Sequence, residues 1–132
     1  MAGEQRIRVL VVDDHVLFTQ GLTTVLEQDG RFDVVGTAAT GREAIRLAKT
    51  AAADVVLMDM SMPVLDGPAA TRRLVALDPA PKVIALSGHT DRLSREAALE
   101  AGATAFVTKS EAFDELVETI LRACQRRTGN GR

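Results

Sequence analysis

The sequence predicts an α/β fold: a doubly wound, five-stranded parallel sheet with helices on both faces. Two patterns predict it. Apolar runs rich in β-branched residues alternate five times with stretches of helical periodicity, as successive βα units require. Four of those runs also close on polar residues. Asp13-Asp14 follows Val9-Leu10-Val11-Val12, and Asp59 follows Asp54-Val55-Val56-Leu57-Met58. Ser87 follows Val83-Ile84-Ala85-Leu86, and Lys109 follows Ala105-Phe106-Val107-Thr108. Such continuously apolar runs suit strands buried on both faces, joined by right-handed crossovers. In open sheets of this kind, ligands bind beyond the carboxyl ends of the strands. The closing residues are therefore expected at one rim.

The elements follow in order. Ile7–Val12 reads as the first strand, and Val16–Gln28 as a helix with Leu17, Gly21, Leu22, Val25 and Leu26 on one face. Phe32–Thr37 is the second strand. Thr40-Gly41-Arg42-Glu43 is a capping-box pattern that opens a helix with Ala44, Ile45, Ala48 and Ala51 inward. Asp54–Met58 is the third and most apolar strand. Pro63 and Asp66-Gly67-Pro68 mark a loop, with Pro68 suited to a first helical turn and Ala70, Leu74 and Leu77 as the inward stripe. Asp78-Pro79-Ala80-Pro81 ends that helix before a fourth strand at Lys82–Leu86. Asp91–Ala101 reads as a helix stopped by Gly102. After a fifth strand at Thr104–Thr108, Ser110 is placed to cap the last helix, with Glu111, Asp114 and Glu115 favourable in its first turn. Phe113, Leu116, Val117, Ile120, Leu121 and Cys124 form its expected inward stripe, and Arg122, Arg126 and Arg127 complement its negative end. Residues 1–127 are expected to be one domain, with 128–132 starting a linker.

Bulk properties narrow the function. The chain has 132 residues, of which 46% are hydrophobic, enough for one domain with a real core. A net charge of -2 argues against a dedicated nucleic-acid or membrane surface. The lone Cys124 excludes an internal disulfide. Glu4 and Arg6 lead straight into a strand, unlike a signal peptide. No apolar run approaches the roughly 20 residues that span a bilayer. A cytoplasmic protein without membrane attachment is expected.

Three carboxylates, a hydroxyl and an ammonium at one rim suit a Mg²⁺-dependent phosphoryl acceptor. Mg²⁺ takes about six oxygens and keeps several waters, so one or two direct carboxylates suffice. Asp14 and Asp59 are the candidate direct ligands, Asp13 acts through water, and the Met60 backbone carbonyl adds a further oxygen. Clustered acids repel one another, and a divalent cation removes that repulsion. Asp59 would attack phosphorus as a carboxylate nucleophile. Lys109 would pair with a phosphoryl oxygen as a point charge, and Ser87 would hydrogen-bond another. Taken singly, each residue has a plainer reading: Asp13 or Asp14 as a helix cap, Ser87-Gly88 as a turn, Lys109 as a solvated side chain. Five suitable groups at one end of four strands favour the joint reading. His15 and His89 read as solvent-facing loop residues, and Cys124 as a buried apolar residue.

These residues resemble the receiver domain of two-component response regulators, over about residues 7–127. Asp13-Asp14 is similar to the acidic pair of that family. The stretch Val55-Val56-Leu57-Met58-Asp59-Met60-Ser61-Met62-Pro63-Val64-Leu65-Asp66-Gly67 is similar to its phosphoacceptor strand and loop. Ser87, Lys109 and Phe106 match its hydroxyl, lysine and aromatic switch positions. The Asp-Asp-His start and the Met-Asp-Met-x-Met-Pro stretch are most like the subfamily with a C-terminal helix-turn-helix (LuxR-type) output domain. The resemblance implies a flavodoxin-like strand order 2-1-3-4-5 and phosphoryl transfer from a sensor histidine kinase to Asp59 with Mg²⁺. It further implies a switch through Ser87 and Phe106, homodimer formation on phosphorylation, and transcriptional output through a DNA-binding domain outside this sequence. One departure stands out. The family commonly has proline after the lysine, but Ser110 stands here. A cis bond before a non-proline residue costs about 3–4 kcal/mol, so a trans bond is expected.

Three other functions rank lower. An aspartyl-phosphate phosphohydrolase usually needs an acid two residues after the nucleophile, where this chain has Ser61. No glycine-rich phosphate loop of either common type occurs, which disfavours a nucleotide-binding domain. The complete acidic pair, Asp59, Ser87 and Lys109 disfavour a receiver that has lost phosphorylation. The chain is therefore expected to catalyse only its own phosphorylation and dephosphorylation. Ser61 and His89, each two residues beyond a strand end, are expected to tune the lifetime of the phosphoryl group.

Overall fold

The computed structural model describes residues 5–61, 67–88 and 92–129, with side chains among them up to Cys124. Its elements are β1 (Ile7–Val12), α1 (Val16–Asp29), β2 (Phe32–Ala38), α2 (Gly41–Thr50), β3 (Val55–Asp59), α3 (Gly67–Val75), β4 (Lys82–Ser87), α4 (Arg92–Glu100), β5 (Ala105–Thr108) and α5 (Lys109–Gly129). All strand pairs are parallel, in the order β2-β1-β3-β4-β5. The fold class and strand order expected from the sequence are those observed. Glu4, Pro63, Asp66, His89, Asp91 and the side chains of Arg126 and Arg127 lie outside the described residues.

Alternation along each strand divides the core. Leu10, Val12, Val56, Met58, Val83 and Ala85 face α2, α3 and α4, whose buried contributions are small except for Leu74. Val9, Val11, Val55, Leu57, Ile84, Leu86 and Val107 face Leu22 and Leu26 of α1 and Ala112, Leu116 and Ile120 of α5. β3 is buried along its whole length, as a central strand covered on both faces must be. Two of the expected helix boundaries have the predicted chemistry. Thr40 Oγ1 accepts from the Glu43 amide at 3.2 Å, while the Ala39 amide donates to Glu43 Oε1 at 3.3 Å. Gly102 follows α4 at φ 114°, a conformation open to glycine and costly to other residues.

The helix faces differ from expectation in two places. Leu17 is 82% exposed, whereas Thr19, Leu22 and Leu26 are buried. Leu17 precedes Leu22 by five residues, which turns it about 140° around the axis at 3.6 residues per turn. The inward stripe of α5 runs through Ala112, Leu116, Ile120 and Ala123, and Phe113 is 47% exposed. Phe113 instead lies against α1, edge-on to Phe18 at 5.7 Å. Gly21 admits it, since a Cβ there would sit 3.1 Å from Phe113 Cζ. Cys124 is half-buried at the margin of that core, not fully enclosed.

Ser110 is not the cap of α5. The helix starts at Lys109, which puts Thr108 at its entry. Thr108 Oγ1 donates to Glu111 Oε1 at 2.8 Å and contacts Ser110 Oγ at 3.2 Å. The Lys109–Ser110 bond is trans; the cis bond among the described residues is Asp78–Pro79.

Candidate functional site

Parallel register brings the strand ends level. Val12 pairs with Met58, and Asp59 pairs with Leu86. Asp13 and Asp59 therefore leave neighbouring strands at the same height. Ser87 pairs with Thr108, which places Lys109 one residue beyond. Two ladder bonds extend the sheet into the site: the Asp13 amide donates to the Ala38 carbonyl at 3.0 Å, and the Met60 amide to the Leu86 carbonyl at 2.8 Å.

The charged groups converge on this rim. The side chains of Asp13 and Asp59 are 0% and 1% exposed, Lys109 16% and Asp14 42%. Lys109 Nζ lies 2.7 Å from Asp13 Oδ2 and 3.5 Å from Asp59 Oδ2. It also sits 5.0 Å above the Phe18 ring centroid, a face attractive to cations. Asp59 Oδ1 accepts from both the amide and the hydroxyl of Ser61, each at 3.0 Å. That pair of bonds fixes the carboxylate and leaves Oδ2 facing the cluster. The Asp13 Oδ1 atom accepts the His15 amide at 2.9 Å. Asp13 Oδ2 is buried without a hydrogen bond among the described residues. Its partner is the Lys109 ammonium, an ionic contact.

The donor set fits a divalent cation. Asp13, Asp14, His15 and Asp59 each present one ligand atom, all within 4.8 Å of one another. Opposite ligands of one Mg²⁺ ion stand about 4.2 Å apart, so a small contraction would close the set. Two carboxylates at such separations repel by about 3.5–4 kcal/mol at an effective dielectric near 20. Three acids and one ammonium leave two formal negative charges, counting His15 as neutral. A divalent cation matches that excess.

Ser87 is buried at the end of β4. Phe106 is half-buried in β5, against the core under α2, α3 and α4. Arg95 of α4 lies over its ring, with the guanidinium carbon 6.0 Å from the centroid. His89 lies outside the described residues. The sequence reading missed four participants. His15 is exposed, as expected, yet its Nδ1 turns toward Asp13. Phe18 underlies the ammonium, and Arg95 couples α4 to Phe106. Gly67 is the fourth. A Cβ there would stand 2.5 Å from both the Asp59 carbonyl oxygen and Met60 Cα, so glycine alone lets α3 begin against the end of β3. Gly67→Ala should destabilise the fold by about 1–3 kcal/mol and weaken divalent-cation binding. Equal urea midpoints and equal Mg²⁺ affinities for the two proteins would contradict this.

Comparison with known proteins agrees with this geometry. The response regulator receiver domain family matches residues 9–121. The chain is 40% identical over 114 residues to the response regulator UvrY of Escherichia coli, covering 86% of this chain and 52% of UvrY. It is 35% identical to the transcriptional regulatory protein DegU of Brevibacillus brevis, covering 89% of this chain and 50% of DegU. A protein-glutamate methylesterase/protein-glutamine glutaminase of Halalkalibacterium halodurans is 44% identical, over 80% of this chain and 31% of the enzyme. The chain thus spans about half or less of these curated relatives' length. Among solved structures, the receiver domain of the response regulator NarL from Mycobacterium tuberculosis superposes with a TM-score of 0.85 at 33% identity, covering 90% of this chain and 96% of that one. CheY in the CheX-CheY-BeF₃-Mg²⁺ complex of Borrelia burgdorferi gives 0.83 at 26% identity, covering 92% of each chain. The chain belongs to the receiver domain family of two-component response regulators.

Proposed function

We propose that Asp59 accepts a phosphoryl group from a sensor histidine kinase. Mg²⁺ would be held directly by Asp14, Asp59 and the Met60 carbonyl, and by Asp13 through water. The observation that carries this reading is the placement of Asp59 Oδ2 beside both the acidic pair and the Lys109 ammonium. The ligand order is supported by the contacts. Both oxygens of Asp13 are engaged, by His15 and Lys109, whereas Asp14 has one contact among the described residues, to His15 Nδ1 at 3.5 Å.

The phosphorus–nitrogen bond of the phosphohistidine breaks as a bond forms from Asp59 Oδ2 to phosphorus. The imidazole leaves, and an acyl phosphate remains. When bound, Mg²⁺ neutralises charge on the phosphoryl oxygens and on the acids. Lys109 swings from Asp13 to pair with one phosphoryl oxygen, and Ser87 Oγ donates to another. Ser61 holds the carboxylate in line through Oδ1. Hydrolysis by water breaks the acyl phosphate, returns the Asp59 carboxylate and releases inorganic phosphate, and Ser61 and His89 set its rate. The chain catalyses only these two steps on itself. Ser87 and Phe106 then bias the α4–β5–α5 surface, which pairs two copies of the chain.

Output is transcriptional in this reading, as for the relative named transcriptional regulatory protein DegU, and runs through a DNA-binding domain outside this sequence. Identity to the methylesterase favours a second output, control of an attached enzyme. No helix among the described residues is long and apolar enough to cross a membrane. A cytoplasmic protein without membrane contact fits the kinase partner.

Titrating Mg²⁺ against Asp13→Asn, Asp14→Asn and Asp59→Asn tests the site. Affinity should fall most for Asp14→Asn and Asp59→Asn, because direct ligands matter more than groups acting through water. Asp13→Asn as the weakest binder would refute the ligand order. Without Mg²⁺ at least one of the three should melt higher than the wild type, since losing an acid relieves repulsion. A lower melting temperature in all three would count against crowding.

A further inference from the structure

His15 adds a nitrogen to an otherwise all-oxygen site. Its Nδ1 stands 3.0 Å from Asp13 Oδ1 and 3.5 Å from Asp14 Oδ1. Ligands of a tetrahedral ion bonded at about 2.1 Å stand about 3.4 Å apart, so the Asp14 separation fits a coordination edge, while the shorter contact to Asp13 Oδ1 is a hydrogen bond. The same nitrogen is 3.2 Å from Lys109 Nζ. Asp13 can only accept, which asks for a proton on Nδ1; the ammonium can only donate, which asks for its lone pair. One nitrogen cannot serve both at once. The ammonium lies within reach of Asp13, Asp59 and His15, so the rim already accommodates positive charge beside this nitrogen. Asp13 Oδ2, fully buried with the Lys109 ammonium at 2.7 Å as its partner, is a second sign that the cluster is built around positive charge.

We propose that His15 Nδ1 is a metal ligand, and that the rim therefore takes borderline divalent transition metals such as Zn²⁺ in preference to Mg²⁺. Imidazole suits Zn²⁺, Ni²⁺ and Co²⁺, whereas Mg²⁺ favours oxygen alone. The inference rests on the proposed metal site and adds one residue and a cation class to it. Zn²⁺ held by His15, Asp14 and Asp59 would end the Lys109 contact to His15 and compete with Mg²⁺, so such cations would act as inhibitors of phosphoryl uptake.

The test is a titration of the wild-type chain with Zn²⁺ and, separately, with Mg²⁺, followed by imidazole ¹⁵N NMR. The chain has only two histidines, so a His89→Gln variant assigns both rings. Zn²⁺ should move the His15 Nδ1 signal into the range of ligated nitrogen. His15→Ala and His15→Gln should each lower the ratio of Zn²⁺ to Mg²⁺ affinity by at least about tenfold, the scale on which even outer partners of metal ligands register. A His15 signal that stays in place while Zn²⁺ binds, or an unchanged ratio, would overturn the proposal. Failure of both cations to bind the wild type would overturn the metal reading beneath it, and the proposal with it.

Discussion

Lys109→Ala should lower the stability of the metal-free protein by about 2 kcal/mol. Removing one partner of a buried ion pair costs about 3–5 kcal/mol, and the open rim reduces that figure through solvent screening. The loss falls on two carboxylates that are 0% and 1% exposed, Asp13 and Asp59. The ammonium is the counter-charge nearest to both. A loss of that size would lower Tm by roughly 5–10 °C for a domain of this size, and saturating Mg²⁺ should restore part of it. The same variant should still bind beryllofluoride with Mg²⁺ but show little change at its α4 surface, because a methyl side chain cannot grip a phosphoryl oxygen. An unchanged Tm without metal would mean that Lys109 does not balance the acids.

The second large effect is expected in α4. Among residues Arg92–Glu100 only Ala98 is buried, and Leu93 is 77% exposed. A helix that buries one small side chain belongs to the weakly stabilised part of a fold. The Arg95 guanidinium over Phe106 adds a tie to β5, worth about 0.5–1 kcal/mol at an exposed site. Drawing Ser87 toward a phosphoryl group would open space that Phe106 fills, and the ring would leave Arg95. Such a population shift is of order 1–3 kcal/mol, or about 5- to 150-fold in the exchange of the affected amides. Hydrogen exchange with beryllofluoride and Mg²⁺ should change most across residues 87–108, and little at Leu116 and Ile120 in the core. Changes confined to the loops after Asp13 and Asp59 would show that this face does not carry the signal.

What the sequence disclosed, and what it hid, has a physical pattern. Strands buried on both faces leave near-continuous apolar runs, so β1, β3 and β4 and their closing residues could be read directly. The Thr40 cap and the Gly102 stop were legible because each uses local chemistry within a few residues. Helix faces were harder. Leu17 and Phe113 fit a loose helical spacing, but which neighbour packs against them depends on tertiary placement, as Phe113 beside Gly21 shows. Thr108 and Ser110 are both competent caps, and the choice turned on where β5 ends. The acids and Lys109 were legible as residues. The His15 Nδ1 contact with Lys109 joins positions 94 residues apart, and nothing local signals it. In the sequence Gly67 reads only as part of a loop; its close approach to the Asp59–Met60 peptide appears only in three dimensions.

Placing the phosphoryl group is the most direct test of Asp59 as the acceptor. The protein would be incubated with acetyl phosphate and Mg²⁺, trapped by borohydride reduction of the acyl phosphate, and digested for peptide mass mapping. One reduced aspartyl residue is expected, at position 59. Asp59→Asn should take up no phosphoryl group, and a chelator should suppress uptake by the wild type. Trapping at another aspartate, or equal phosphoryl uptake by Asp59→Asn, would contradict the assignment.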